Sequence, residues 1–187
     1  MPQRSGERGW QHLKEDQQTI VYLLSGPLGV GKSTTSRELA RITEQSVLIE
    51  GDHLLDMFYG EVQPPWEERL NLAWTNIAAV TRNVIRHRFN VIIDFVVEDE
   101  LDWFCEQIAD LNVSVKYVVL RADQEQIVER LRIRGDMDAL DRSLFLLNKL
   151  TTSPANIPFI MDTTRKTPLE TAQEIIHNAG FYYRQPF

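Results

Sequence analysis

The residues best suited to chemistry lie in one stretch, residues 26–34, which reads GPLGVGKST. Gly26 and Gly31 can adopt backbone angles that are closed to other residues, so the loop can turn its N–H groups towards an anion. Lys32 can reach the β- and γ-phosphates of a nucleotide, and the Ser33 hydroxyl can bind Mg²⁺. The sequence therefore predicts a phosphate-binding loop, whose nucleotide contacts are Gly26, Leu28, Gly29, Val30, Gly31, Lys32, Ser33 and Thr34.

The segments on both sides of this loop are those that a phosphate-binding loop requires. Residues 19–25 form a short apolar run that predicts a buried strand, and residues 35–42 have the apolar spacing of a helix. The N-terminal end of that helix would add partial positive charge next to the phosphates. Because strand, loop and helix follow in the required order, a chance glycine turn that holds a lysine explains the stretch poorly.

Beyond the loop, predicted strands and helices alternate along the chain. Further strands are predicted at residues 46–50, 90–97, 113–120 and 158–161. Helices are predicted at residues 53–58, 66–86, 98–111, 124–132, 140–150 and 168–178. This alternation predicts an α/β fold with one parallel sheet and helices on both faces. The ligand of such a sheet lies beyond the C-terminal ends of its strands.

Three polar residues lie near the C-terminal ends of predicted strands or just after them, and they are therefore expected near that edge. Asp52 could accept the proton of a substrate hydroxyl as it attacks the γ-phosphate, or it could simply cap the next helix. Asp94 has the position of a carboxylate that holds Mg²⁺, and the alternative is that it binds nearby backbone N–H groups. Thr163 could border the nucleotide base or belong to a plain turn. The predicted metal ligands are Ser33 and Asp94.

Arginines cluster at the end of the helix predicted at residues 124–132. Arg130 and Arg134 are four residues apart and share a helical face if the helix extends that far. Guanidinium groups can stabilise the charge on a transferred phosphoryl group, and a mobile cover that carries them would exclude water. The alternative is a solvated charged helix with local ion pairs. The predicted catalytic residues are Lys32, Asp52, Arg130 and Arg134.

Composition limits the class of protein and of partner. The chain has 187 residues, which suits a single domain, with residues 1–18 predicted as a flexible tail and residues 19–187 as the domain. A net charge of -7 disfavours nucleic-acid and membrane partners. The single cysteine, Cys105, allows no internal disulfide and fits a cytoplasmic location with this thiol buried.

With these residues in place, the chain resembles P-loop kinases of the adenylate-kinase-like group over about residues 19–180. The positions of the nucleotide-binding and catalytic residues of that group are matched by the loop at residues 26–34, Asp52, Asp94 and the arginine segment. The resemblance implies a five-stranded sheet of order 2-3-1-4-5, an arginine-bearing lid at about residues 133–142, and ATP and Mg²⁺ as cofactors.

Three branches of that group are similar in further detail. Gly51-Asp52 with the later Pro65-Trp66 resembles gluconate kinases. The position of Asp52 also resembles chloramphenicol phosphotransferase, in which the corresponding aspartate is taken to deprotonate the acceptor. Uncharacterised ATP-binding kinases of the AAA type share the same outline.

These features predict a kinase that transfers the γ-phosphate of ATP to a hydroxyl of a small molecule, such as a sugar acid, a nucleoside or an antibiotic. The expected partners are ATP and that molecule, without nucleic acid or membrane, for a monomer or a homodimer. The alternative is a P-loop ATPase or nucleotide-binding protein without a small-molecule acceptor. The Asp-x-x-Gly motif of GTPases is absent from the sequence.

Overall fold

The computed structural model describes residues 18–184, so the predicted tail lies outside the described residues except for Gln18. Six strands are found in this part of the chain: β1 (Thr19–Ser25), β2 (Ser46–Glu50), β3 (Asn90–Asp94), β4 (Val113–Arg121), β5 (Ile160–Asp162) and β6 (Tyr182–Tyr183). Seven helices accompany them: α1 (Lys32–Ile42), α2 (Gly51–Leu55), α3 (Trp66–Arg86), α4 (Leu101–Ile108), α5 (Gln124–Arg134), α6 (Leu140–Thr152) and α7 (Pro168–His177). None of these helices is both long and apolar enough to cross a membrane.

The sheet has the parallel order β2-β3-β1-β4-β5, which confirms the predicted α/β fold and strand order. Asp94 on β3 lies level with Leu24 on β1 and with Glu50 on β2. The C-terminal ends of these strands therefore meet at one edge, beside the loop that follows β1. A short strand that the sequence did not indicate, β6, pairs antiparallel with β4.

Helices cover both faces of the sheet, as the nearly continuous apolar strands predict. Val21 and Leu23 of β1 pack into one core cluster, which contains buried residues of α3, α4 and α6. Tyr22 and Leu24 point to the opposite face and pack with buried residues of α1, α5 and α7. Because alternate residues of β1 enter different clusters, the central strand is enclosed on both sides and fixes the position of the loop after Ser25.

The third strand is shorter than predicted, since β3 ends at Asp94 and not at residue 97. β2 already ends at Glu50, so residues 95–97 have no strand beside them on that side of the sheet. Phe95 and Val97 remain buried because they pack into the core under α3 and α4. The apolar run of residues 95–97 therefore reflects burial in the core without strand pairing.

The prediction that Asp52 caps the following helix is wrong. Helix α2 begins at Gly51, directly after β2, and its N-cap residue is Glu50, which makes no side-chain capping bond. Asp52 accordingly lies inside the first turn. The segment predicted as a lid, residues 133–142, consists of the end of α5, a left-handed Gly135, a 3-10 turn at Met137–Ala139 and the start of α6.

Candidate functional site

The loop between β1 and α1 has the backbone conformation that its glycines predict. Gly26 has φ +140, and a Cβ atom there would lie 2.6 Å from the carbonyl oxygen of Leu120. Gly31 has φ 106 and forms the left-handed N-cap of α1. Both positions require glycine, the first because of the neighbouring strand and the second because of its backbone angle. The loop therefore opens directly onto the N-terminal end of α1, where backbone N–H groups are free to bind an anion.

Lys32 extends back over the loop that precedes it. Its Nζ atom donates hydrogen bonds to the carbonyl oxygens of Gly26 at 3.0 Å and Pro27 at 3.2 Å. Burial lowers the pKa of Lys32, while the carboxylates of Asp94 and Asp52 favour its charged form. The ammonium group therefore lies inside the predicted phosphate-binding loop, in the electrostatic field of both predicted functional aspartates.

Ser33 and Asp94 are brought together at the start of α1. Asp94 is only 6% exposed at the end of β3. Burial raises the pKa of its carboxyl group. The charge of Lys32 and a hydrogen bond from the Ser33 side chain act in the opposite direction and lower this pKa. A hydroxyl and a carboxylate in contact match the donors that Mg²⁺ uses in proteins, where phosphate oxygens and waters supply the remaining ligands. The two residues predicted as metal ligands thus fit the ion by position and by chemistry.

Asp52 lines a cavity of about 440 Å³ together with Lys32 and Ser33. Burial raises the pKa of the Asp52 carboxyl group, and the charge of Lys32 opposes this shift. Glu50, two residues earlier, is engaged elsewhere, because Arg37 lies 2.7 Å from its carboxylate. Asp52 is therefore the carboxylate of this segment that remains available to a ligand in the cavity.

The end of α5 and the turn after it close the cavity on another side. Arg134, Gly135, Asp136 and Asp138 contribute to its lining. A second cavity of about 240 Å³ lies on the other side of the start of α1, and Arg134 lines both. The exposed Arg134 side chain therefore stands between the two cavities, close to where phosphates would lie on the loop.

Two other predicted nucleotide contacts line the smaller cavity. Thr34 and Thr163 both line it, together with Arg130 and Lys166. Thr163 is 5% exposed, and its Oγ1 donates to the carbonyl oxygen of Arg121 at 3.0 Å. The structure thus places Thr163 in the wall of the smaller cavity, whose lining does not include Asp52. Lys166 was missed in the sequence, where its only signal is its position three residues after Thr163.

Arg130 supports the loop itself. Its Nη1 atom donates to the carbonyl oxygens of Val30 at 2.7 Å and Gly29 at 3.4 Å, and its Nη2 atom donates to the side chain of Gln126 at 3.2 Å. Ser143 adds a second support that the sequence did not indicate, since its Oγ atom donates to the carbonyl oxygen of Leu28 at 2.7 Å. These contacts hold the loop against α5 and α6.

A larger concavity of about 740 Å³ lies at the far end of the sheet. It is lined by Gln18 and Arg184, the first and last residues that the structure describes, and by Val113 at the start of β4. It is remote from the phosphate-binding loop and borders residues outside the described range. We therefore take the two cavities around the loop as the candidate site.

Several solved structures have a fold similar to that of this chain. The tunicamycin resistance protein of Deinococcus radiodurans has a TM-score of 0.63 at 20% identity, over 85% of this chain and 94% of that chain. The APS kinase of Mycobacterium tuberculosis has a TM-score of 0.62 at 16% identity, over 86% and 97% of the two chains. A gluconokinase of Sinorhizobium meliloti has a TM-score of 0.55 at 22% identity, over 88% and 91%.

At these identities the likeness to solved structures concerns the fold. It confirms the resemblance to P-loop kinases at that level. No curated protein sequence matches the chain. A family profile described as an AAA domain matches residues 21–151, which include the phosphate-binding loop, Asp52, Asp94 and α5. The chain therefore belongs to the AAA domain family and has the fold of P-loop kinases.

Proposed function

We propose that the protein is a kinase that transfers the γ-phosphate of ATP to a hydroxyl group of a small molecule, with Mg²⁺ as its metal ion. The observation that carries this proposal is the 440 Å³ cavity in which Lys32 and Ser33 of the loop face Asp52. The loop and the lysine suit a triphosphate, and the carboxylate suits the proton of an attacking hydroxyl. Similar folds include the gluconokinase, a sugar kinase and the APS kinase, which was solved with AMPPNP and APS.

The residues around the loop have different roles in the proposed phosphoryl transfer. Backbone N–H groups of the loop and the Lys32 ammonium bind the phosphates, and Ser33 and Asp94 would hold Mg²⁺, which neutralises charge on the phosphate oxygens when bound. Arg134 reaches the same cavity and suits the charge that develops on the transferred group. Arg130 acts through the loop carbonyls that it binds, so we propose a positioning role for it.

Asp52 is proposed as the residue that orients the acceptor and takes its proton. Its alternative role as a helix cap is removed by the position of α2. Burial raises the pKa of its carboxyl group, which makes it a better proton acceptor than an ordinary aspartate. Neighbouring atoms enclose part of the carboxyl group, but Asp52 as a whole residue is exposed at the mouth of the cavity, so an acceptor hydroxyl can approach it from solvent.

The test is acceptor-dependent release of ADP from ATP and Mg²⁺ in a screen of sugars, sugar acids, nucleosides and hydroxylated antibiotics. Asp52→Asn should lower turnover of the best acceptor by roughly 10²–10⁴-fold if Asp52 is a base. Lys32→Ala should abolish transfer while thermal unfolding stays close to that of the wild type. An unchanged rate in either variant would refute the assigned roles. ADP release that no compound accelerates would favour an ATPase.

A further inference from the structure

The cavity that contains Asp52 has more acidic than basic groups in its wall. Three carboxylates line it, those of Asp52, Asp136 and Asp138, against the two cations Lys32 and Arg134. Within residues 18–184 none of these three carboxylates forms a salt bridge. Lys32 compensates part of the charge of Asp52 at a distance, but no basic group pairs directly with any of the three carboxylates in this part of the chain, so their oxygens are available to a ligand.

The acidic and the basic side chains of the cavity come from different parts of its wall. Lys32 lies within the loop, and Arg134 also lines the smaller cavity on the nucleotide side, so both cations are placed for the triphosphate. Asp52 follows β2, and the two other aspartates lie in the turn after α5, which follows β4. Because β2 and β4 lie on opposite sides of β1, the carboxylates approach the mouth from two sides.

We propose that the acceptor of this kinase carries a positively charged amine as well as the hydroxyl that is phosphorylated, and that Asp136 and Asp138 bind this amine. The inference rests on the proposed function and names the class of its acceptor. With the hydroxyl at Asp52, the amine lies towards the turn after α5. An ammonium group can donate charge-assisted hydrogen bonds to both carboxylates of that turn.

The charge balance disfavours an anionic acceptor. A triphosphate with one Mg²⁺ ion remains negative, so a second anion beside it and beside three carboxylates is repelled. The net charge of -7 on the chain also attracts cations and repels anions as they approach. Amino sugars and aminocyclitols fit this charge pattern, whereas sugar acids do not.

The test compares hydroxyl-bearing compounds in three charge classes: amines such as glucosamine and aminocyclitol antibiotics, neutral sugars and nucleosides, and acids such as gluconate. ADP release and calorimetric binding in the presence of AMPPNP and Mg²⁺ are measured for each. Amines are expected to give the highest kcat/KM and the tightest binding, and raising the ionic strength should weaken both.

Two variants test the role of the turn. Asp136→Asn and Asp138→Asn remove charge at nearly constant shape, and each should raise the KM of the amine roughly two- to fivefold with little change in kcat, as expected for exposed ion pairs. Asp141→Asn, an exposed residue of α6 outside the cavity lining, is the matched control and should leave KM unchanged. Equal effects of all three variants would overturn the proposal.

The remaining outcomes separate the inference from the proposed function. A neutral or acidic compound as best acceptor would refute the amine and keep the kinase. An amine that binds, and loses affinity in the two variants, but never accelerates ADP release would keep the amine site and refute the kinase. If no compound binds or accelerates ADP release, both are refuted.

Discussion

Replacing Gly51 with alanine is expected to destabilise the fold and to displace Asp52. Gly51 is the first residue of α2, and an added Cβ atom would lie 2.4 Å from Cγ and 2.5 Å from Cδ2 of Phe95. The Phe95 ring has little room to move away, because it is 3% exposed and packs on Trp74 with ring centroids 5.1 Å apart. The start of α2 must therefore shift, and Asp52 shifts with it.

The expected magnitude follows from two opposing effects. Gly51 is part of a helix and lies outside the left-handed region, so alanine by itself would stabilise the helix by up to about 1 kcal/mol. Overpacking of a rigid core costs about 1–3 kcal/mol, and contacts this short lie at the upper end of that range. We expect Gly51→Ala to lower the free energy of unfolding by about 1–2 kcal/mol. A displacement of Asp52 of about 1 Å should lower kcat by up to roughly 10²-fold.

A double-mutant cycle with Phe95→Ala provides the assay and its control. Urea unfolding is measured for the wild type, each single variant and the double variant. Phe95→Ala alone should cost about 3–5 kcal/mol, but once the ring is absent, Gly51→Ala should no longer destabilise the protein. If alanine at position 51 is harmless in the wild type, or equally harmful with and without the ring, the reasoning from this contact is wrong.

Three further predictions concern Asp94, the pair Arg130 and Arg134, and Cys105. Asp94→Asn in metal-free buffer should raise the free energy of unfolding at pH 7.5, because burial raises the pKa of the native carboxyl group. This gain should vanish below pH 3.8, the ordinary pKa of the group, where the carboxyl is protonated in both the folded and the unfolded state. A lower free energy of unfolding at pH 7.5 would contradict the prediction. Arg130→Ala should lower the free energy of unfolding in urea by about 1–2 kcal/mol, because the Val30 carbonyl loses a charged donor. Arg134→Ala is the control and should change that free energy by no more than about 0.5 kcal/mol. Equal losses in the two variants would argue against the contact with the loop. Burial raises the pKa of Cys105 to about 12, so a thiol reagent at pH 8 should label the native protein roughly 10³-fold more slowly than the unfolded chain, and comparable rates would count against this burial.

The fold could be predicted where local pattern and tertiary burial agree. The apolar run of β1, the glycines after it and the spacing of α1 all indicate the same structure, and all are present. At residues 95–97 the pattern also indicated a strand, but strand pairing depends on a neighbour. β2 ends at Glu50, and no local signal in residues 95–97 reports where a strand far away in sequence ends.

The candidate site could be predicted in its residue types but not in all of its contacts. The spacing of Arg130 and Arg134 indicated a shared helical face, and α5 does extend through both. The partner of Arg130 is the carbonyl oxygen of Val30, which is separated from it by 100 positions in the chain. Such a contact depends on how α5 lies against the loop, and the sequence gives no spacing that would reveal it.

The two hydrogen bonds of Lys32 indicate how the loop can be ready for a triphosphate before one binds. The ammonium group already has two carbonyl acceptors, from Gly26 and Pro27, so a nucleotide must replace these hydrogen bonds with bonds to phosphate oxygens. Burial lowers the pKa of Lys32, which means that the charge is poorly compensated by these neutral partners. A phosphate carries full negative charge and compensates the lysine better, since interactions between charges strengthen where water is excluded. The loop therefore keeps its lysine in place before binding and leaves most of the electrostatic gain to the nucleotide.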